Sequence, residues 1–99
     1  MISIKIHQTY RDIVAICDIE LLGRYFEEGK FQLDIKESFY KGEQVDEKKA
    51  IQIIQNQARE DAIFNIVGEK SISYALKVGI INKQGIKKIH GIPYALVLT

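Results

Sequence analysis

The sequence predicts an α+β fold in which a mostly antiparallel sheet of about four strands packs against two helices. Strand-like apolar patterns occupy the first 35 residues, helical patterns run from residue 46 to residue 79, and another strand pattern ends the chain. Strands that precede helices, rather than alternating with them, are typical of the α+β class. We therefore expect the order β-β-β-α-α-β in a single domain spanning residues 1–99, an ordinary domain length.

Three segments near the start of the chain have the apolar pattern of strands. Ile2–His7 alternates apolar and polar residues, which is typical of a half-buried strand. Ile13–Cys17 is a short, continuous apolar run rich in β-branched residues, so it predicts a central strand that pairs with the first. Phe31–Ile35 alternates again. Asp18–Gly23 predicts one helical turn that its first residue caps and its last residue ends.

Two helices are predicted in the middle of the chain. Asp46 is a favourable N-cap for the first helix, and apolar residues then recur at spacings of three and four. The helical pattern loosens around residues 61–67, and Gly68 marks a break before a second helix that Gly79 ends. The apolar stripe of the first helix comprises Ala50, Ile51, Ile54, Ala58 and Ala62.

The remaining segments predict a loop and the last strand. Glu37–Gly42 is rich in turn residues, and we expect its adjacent aromatic pair to close the edge of the core. Ile86–Ile89 begins the last strand and Tyr94–Thr99 completes it. Because Gly91–Pro93 interrupts the apolar pattern between them, we expect a bulge or an edge position there.

Several classes of function are disfavoured by what the sequence lacks. Cys17 is the only cysteine, so the chain has no internal disulfide, and its apolar neighbours predict a buried thiol. His7 and His90 have no metal-ligand spacing, and no phosphate-binding loop, dinucleotide fingerprint or nucleophile elbow occurs. We therefore expect no catalytic residues, no metal and no cofactor. No run approaches the roughly 20 apolar residues of a membrane span and no signal peptide precedes Ile2, so we expect a cytoplasmic protein without membrane contact.

Charge is segregated along the chain. All thirteen acidic residues lie in the first 69 positions, which sum to −4, whereas the remainder carries five lysines, no Asp or Glu, and a charge of +5. Glycines at 85 and 91 lie among these cations, and glycine lets a phosphate approach the backbone closely. The alternatives are a solvated face, or lysines that keep an edge strand from aggregating. The clustered cations are Lys83, Lys87, Lys88 and His90, with Lys70 and Lys77 on the preceding helix.

Six short segments form a set in chain order. They are Val14-Ala-Ile-Cys-Asp18, Leu21-Leu-Gly23, Phe26-Glu-Glu-Gly29, Phe39-Tyr-Lys-Gly-Glu43, Asn65-Ile-Val-Gly-Glu69 and Gly91-Ile-Pro-Tyr-Ala95. Together they resemble a family of small archaeal proteins, the domain of unknown function number 424. The resemblance implies an archaeal cytoplasmic protein and supplies no reaction. The last landmark of that family reads Pro-His-Ala, so the resemblance implies that Tyr94 replaces a family histidine, which disfavours proton transfer at this position.

Our leading hypothesis is a non-enzymatic binding module for RNA or a ribonucleoprotein assembly. Its basis is the acid-free, lysine-bearing last third of the chain. A base would be contacted by His90 or Tyr94, since aromatic rings stack on bases. The phosphates would be held by Lys70, Lys83, Lys87 and Lys88.

Two alternatives use other parts of the chain. The first is a protein-interaction or homodimerisation module whose interface is the last strand or the loop of Phe39 and Tyr40. The second is a small enzyme whose anion site lies at the turn formed by Asn65, Gly68 and Glu69. Amides at the start of a helix hold anions in this way.

Overall fold

The strands of the protein form two sheets, one of which mixes parallel and antiparallel pairs. The computed structural model describes residues 1–98. Its strands are β1 (Ile2–His7), β2 (Ile13–Asp18), β3 (Tyr25–Glu28), β4 (Phe31–Asp34), β5 (Glu43–Val45), β6 (Ile63–Val67), β7 (Lys87–Ile89) and β8 (Ile92–Val97). The main sheet has the order β5-β1-β2-β6-β8-β7, while β3 and β4 form a separate antiparallel hairpin. In the main sheet β2 and β6 are parallel, and the other neighbouring pairs are antiparallel.

Helices and 3₁₀ turns connect these strands. The helices found in residues 1–98 are α1 (Glu37–Tyr40), α2 (Glu47–Arg59) and α3 (Glu69–Val78), and the 3₁₀ turns are Ile19–Leu21 and Lys83–Gly85. Helix α2 connects β5 to β6, and α3 follows β6 directly. Over the described part of the chain, no helix has both the length and the apolar character needed to cross a membrane.

Three predictions from local sequence patterns are confirmed. Strands β1 and β2 pair with each other, with Ile4 opposite Ile16. Asp46 caps α2, since its Oδ1 accepts the backbone N–H of Lys49 at 2.9 Å. Gly79 ends α3 in the left-handed conformation, with φ at 91°. Each of these features depends on residues that are close in sequence or on a simple alternating pattern.

The predicted arrangement of four strands and two helices in the order β-β-β-α-α-β is wrong. The fold is α+β, but it has a mixed six-stranded sheet, an additional hairpin and a third helix. Residues 61–67, predicted as the loosened end of a helix, contain β6, because the period of so short an apolar run cannot be recognised. Strands β3, β5 and β7 have three or four residues each, which is too short for alternation to be evident.

Two predicted connections also differ from the structure. Glu37–Gly42, predicted to be a loop, contains the single helical turn α1. Gly91–Pro93 was predicted to be a bulge or an edge. Instead, Gly91 is the second residue of a two-residue turn, and Ile92 and Pro93 begin β8, where Ile92 pairs with Ile89 of β7. Thr99, predicted to end the last strand, lies outside the described residues.

Helices α2 and α3 cover one face of the main sheet. Ile4, Ile16 and Ile66 lie on this face of β1, β2 and β6, and they belong to the same buried cluster as Ile54 of α2 and Ala75 of α3. Each of the five is at most 5% exposed. Burial of apolar surface between the helices and the sheet is the main source of stability in such a layer.

The β3–β4 hairpin and α1 cover the opposite face. Cys17 of β2 and Val67 of β6 lie there, in a second buried cluster with Leu33, Ile35 and Tyr40. Strand β2 is therefore covered on both faces. A strand buried on both faces has apolar residues at successive positions, which explains the continuous apolar run at its centre.

The buried thiol and phenol of this second cluster make the fold sensitive to alkaline pH. Burial raises the pKa of Cys17 from 9.0 to about 12 and that of Tyr40 from 10.0 to about 12. The unfolded chain loses these protons at lower pH than the folded protein. The free energy of unfolding is therefore unaffected below about pH 9 and falls as pH rises towards 12, by about 1.4 kcal/mol per pH unit for each titrating group. Urea unfolding at about pH 8 and about pH 11 measures this loss.

Tyr40→Phe provides the control for this prediction. The variant keeps the buried ring and removes one of the two titrating groups, so its free energy of unfolding should fall less steeply between about pH 10 and pH 12. Equal slopes for the variant and the parent protein would show that Tyr40 does not contribute to the alkaline loss.

Candidate functional site

The two parallel strands end side by side at a buried carboxylate. Strand β2 ends at Asp18, and β6 ends one residue before Gly68, from which α3 begins. The carboxylate of Asp18 accepts the backbone N–H of Lys70 at 3.0 Å and that of Ser71 at 2.8 Å, and it accepts the Ser71 hydroxyl at 2.7 Å. Asp18 is only 2% exposed. Although it was predicted to cap its own turn at Ile19–Leu21, it makes no side-chain cap bond there and instead caps a helix 52 residues further along the chain.

The carboxylate of Asp18 leaves no space for a side chain at Gly68. The φ of Gly68 is 110°, and a Cβ placed on this residue would lie 2.3 Å from Cγ of Asp18. Its backbone N–H donates to the carbonyl oxygen of Pro93 on β8 at 2.9 Å. The glycine therefore lets three segments meet closely: the end of β2, the start of α3 and the start of β8.

A cavity of about 230 Å³ lies beside this junction. It brings together Gly68 and Glu69 of the predicted anion turn with Lys70 and His90 of the predicted cation cluster. Asn65 does not line it, because that residue lies inside β6, paired with Ala15 and Leu96 in the sheet. Carboxyl groups also line the cavity at positions 18, 20 and 69. Two backbone N–H groups at the start of α3 already hold the internal carboxylate of Asp18.

The predicted phosphate-binding lysines Lys83, Lys87 and Lys88 lie along one edge of the main sheet. Strand β7 is the edge strand, and the 3₁₀ turn with Lys83 precedes it. Side chains alternate along a strand, so Lys87 lies on the hairpin side with its cross-strand partner Tyr94, and Lys88 lies on the helix side opposite Pro93. All three lysines are exposed. Lys87 and Lys88 share the edge strand, but not one face of the sheet.

These edge lysines are not neutralised within the described part of the chain. Among the lysines of residues 1–98, Lys36, Lys49 and Lys77 form ion pairs, and none of these three is a lysine predicted to bind phosphate. Lys77 of α3 pairs with Glu47 of α2 at 2.5 Å. The edge of the sheet therefore presents unpaired positive charge, whereas the exposed face of α3 carries a matched pair.

Tyr94 and Lys87 lie on a concave surface. Together with Gly85, Ala95 and Leu96 they line an open cavity of about 340 Å³. The Tyr94 side chain is partly buried against the second core cluster, and Leu96 is 56% exposed. The combination of a fixed ring, an apolar side chain and a cation is suited to a flat, partly charged ligand.

His90 contacts the β3–β4 hairpin through hydrogen bonds and its ring. It forms the two-residue turn between β7 and β8 with Gly91, and both residues have positive φ, at 51° and 76°. Its backbone N–H donates to Oε1 of Glu28 at 2.9 Å, and its ring Nε2 donates to the carbonyl oxygen of Glu27. The ring also lies against Phe26, with centroids 6.1 Å apart. The structure therefore holds His90 against the hairpin beside the carboxylate of Glu28, whereas Lys87 lies at the opposite end of β7.

The described residues contain no evident metal centre. Within residues 1–98, no three His, Cys, Asp or Glu side chains are grouped so that they could hold a metal ion. His7 is in contact with α1 instead, since its ring stacks on Phe39 at 4.6 Å and its Nε2 donates to the Phe39 carbonyl oxygen at 2.8 Å.

Comparison with known proteins identifies the family. The family model described as "Protein of unknown function (DUF424)" matches residues 6–99. The chain belongs to the DUF424 family. The resemblance seen in the six short segments is thus confirmed, and three of them supply the residues that meet around Asp18, Gly68 and Pro93.

The DUF424 chain is also similar to a solved structure. That structure is the crystal structure of an uncharacterized conserved protein from the archaeon Methanopyrus kandleri. The two sequences are 26% identical, the TM-score is 0.85, and the similarity covers 98% of this chain and 91% of the other. No curated protein matches the DUF424 chain with significance.

Sequence reasoning missed two features of this DUF424 site. The first is the role of Asp18, whose partners at residues 70 and 71 are remote in sequence. An acidic residue at the end of an otherwise apolar strand was the available indication, because a buried carboxylate needs hydrogen-bond donors around it. The second is the pairing of Lys87 with Tyr94, which follows once the turn between them is recognised as two residues long.

Proposed function

We propose that this DUF424 member is a cytoplasmic, non-enzymatic module that binds RNA, alone or within a ribonucleoprotein assembly. The observation that carries the proposal is the set of exposed lysines formed by Lys87 and Lys88 on the edge strand of the main sheet and Lys83 in the 3₁₀ turn before it. They lie in a segment without acidic residues and form no ion pair in the described part of the chain. Unpaired cations in a row attract the regularly spaced phosphates of a nucleic acid.

The edge position allows the lysines to act together although they alternate in direction. Lys87 and Lys88 extend from opposite faces of the same three-residue strand, so a phosphate backbone that runs along the edge lies within reach of both. Lys83 continues the row through the 3₁₀ turn before the strand. Binding of this kind releases counterions from the nucleic acid and weakens as salt is added.

Acidic residues near His90 determine which way the RNA runs in the path that we propose. Glu28 accepts the backbone N–H of His90, and Asp18, Glu20 and Glu69 line the cavity beside it. Negative charge at this end of β7 repels phosphate. The RNA path that we propose therefore runs from Lys87 towards Lys83 and leaves His90 in its contact with the hairpin. Lys70 lies beside the acidic cavity at the His90 end of β7 and contributes less.

Replacing the three edge lysines by glutamine should weaken RNA binding and reduce its salt dependence. For single-stranded RNA, the slope of log K against log salt should become less negative by about 0.7 for each phosphate that is no longer neutralised, or by about 2 for the triple variant. Fluorescence anisotropy of a labelled RNA pool, titrated at several salt concentrations, measures affinity and slope together.

A matched triple variant controls for net charge. Lys30, Lys41 and Lys48 are also exposed, and their replacement by glutamine removes the same charge from other surfaces. This control should keep most of the affinity and slope. Equal losses in both triple variants would contradict a defined surface, and absence of binding by the parent protein at low salt would end the proposal.

The exposed leucines at the end of the chain favour a second candidate, a protein-interaction or homodimerisation module. Leu96 is 56% exposed and Leu98 is 68% exposed, and exposed apolar side chains that lie close together are typical of interfaces. Light scattering over a range of protein concentrations tests the homodimer. A mass that rises with concentration would support it, and a constant monomer mass would remove it.

A further inference from the structure

We propose that the cavity between Lys87, Tyr94 and Leu96 holds one unpaired RNA base, so that the module selects single-stranded RNA over duplex. This inference rests on the proposed RNA-binding function and adds a base-binding site to it. The cavity has a volume of about 340 Å³, and Lys87, Tyr94 and Leu96 reach it from the hairpin side of their strands. It is separate from the cavity beside Asp18, which lies at the carboxyl ends of the parallel strands.

Tyr94 provides the stacking surface. It lies on β8, where Val67 of β6 is its partner on one side and Lys87 of β7 its partner on the other. The inner part of its side chain packs against the buried cluster of Cys17 and Val67, so the ring is held in place by the core. An aromatic ring that is already ordered loses little conformational entropy when a base stacks on it.

The other side chains complete a site for a nucleotide. Leu96 lies two residues after Tyr94 and therefore on the same face of β8, where its 56% exposure leaves an apolar wall. Lys87 lies directly across from Tyr94, and side chains so paired are about 5 Å apart at Cβ. A base between the ring and the leucine therefore has its phosphate within reach of the lysine.

Gly85 leaves the entrance to the cavity open. A Cβ on this residue would meet only Oδ1 of Asn82, at 3.9 Å, so the absence of a side chain here is not required by packing. The backbone N–H of Gly85 is held by the same Oδ1 at 3.1 Å, which keeps the turn in place beside the cavity. A ligand reaches Tyr94 past this bare backbone.

The chemistry of the site selects unpaired bases. A base in a duplex is already stacked on both faces by its neighbours and cannot enter a cavity in a protein surface without being unstacked. A base in a single strand is free to stack on Tyr94. The edge lysines bind phosphates of either form, so the base site is what distinguishes single-stranded from duplex RNA.

Variants of Tyr94 test the base site. Tyr94→Leu removes the aromatic ring and keeps an apolar side chain, and it should lower affinity for a labelled single-stranded RNA about tenfold. The salt slope should stay unchanged because every lysine is retained. Tyr94→Phe retains the stacking ring and should bind within about twofold of the parent protein. Tyr10→Leu, which changes a 97% exposed tyrosine in the β1–β2 connection, should have no effect.

The same titrations with a duplex RNA separate the base site from the lysine surface. Tyr94→Leu should leave duplex affinity unchanged, whereas the lysine variant should weaken both RNAs. The base site is refuted if Tyr94→Leu binds single-stranded RNA as tightly as the parent protein. It is also refuted if Tyr94→Leu and Tyr94→Phe both lose affinity equally for the single strand and the duplex. If the salt slope of binding still depends on the edge lysines, the proposed function stands without the base site, whereas no RNA binding by the parent protein would refute both proposals. Circular dichroism of each variant shows whether it is folded.

Discussion

Replacing Asp18 by alanine is expected to lower the free energy of unfolding by about 4 kcal/mol, since the change removes a helix cap and leaves buried donors without an acceptor. The carboxylate accepts two backbone N–H groups and one hydroxyl at the start of α3. Ser71 is fully buried, so water cannot replace the missing acceptor. Urea unfolding followed by circular dichroism measures the change.

Asp46 provides the control for Asp18. It caps α2 through one backbone N–H, that of Lys49, and it is exposed to solvent. Water can replace its carboxylate, so Asp46→Ala should cost only about 1 kcal/mol. Asp18→Asn keeps one acceptor oxygen and should fall between the two alanine variants. If Asp18→Ala cost no more than Asp46→Ala, the buried carboxylate would contribute nothing beyond an ordinary cap.

These two aspartates also illustrate what the sequence reveals about a helix. Asp46 lies immediately before the helix that it caps, so its role follows from position alone. Asp18 lies 52 residues before Lys70 and directly before a short turn of its own, to which the local pattern assigned it. Its partner is determined by the parallel pairing of β2 and β6, which no local pattern contains.

The strands also differ in whether their own sequence or a partner remote in sequence determines them. β1 alternates because Ile2 and Ile4 lie in the buried cluster under the helices while Lys5 and His7 point to the other face, so its pattern was readable. β6 lies at the centre of the sheet between β2 and β8, and a strand covered on both faces has no alternation to recognise. The short strands at the edges of the sheets are determined by the partners they find in the folded chain rather than by their own sequence.

The candidate surface was predictable in composition but not in geometry. The acid-free segment and its lysines are evident in the chain. That Lys87 and Lys88 lie on opposite faces follows from β7 being a strand, and the pairing of Lys87 with Tyr94 follows from the turn at His90 and Gly91. Two-residue turns with positive φ usually carry Asn-Gly or Asp-Gly, so a histidine in this place concealed the turn.

Gly68→Ala is expected to lower the free energy of unfolding by about 3 kcal/mol or more, from backbone strain together with overpacking. The φ of 110° and ψ of 157° at this residue lie in a region that glycine alone adopts readily. The added Cβ would also lie 2.3 Å from Cγ of Asp18 and 2.7 Å from its Cβ. Because Asp18 is bonded to the start of α3, it cannot move aside without breaking those hydrogen bonds. Urea unfolding measures the destabilisation.

A double-mutant cycle separates steric contact from backbone strain at Gly68. Asp18→Gly removes the three nearest atoms that the new Cβ would meet, so the double variant should be more stable than the sum of the two single changes predicts, by at least about 1 kcal/mol. Gly79→Ala is the matched control, since Gly79 also has positive φ, at 91°, but a Cβ there meets nothing within 4 Å. It should cost about 1 kcal/mol and show no coupling to Asp18→Gly. Additive changes at positions 18 and 68 would mean that strain alone, without the contact to the carboxylate, requires glycine at the junction of β6 and α3.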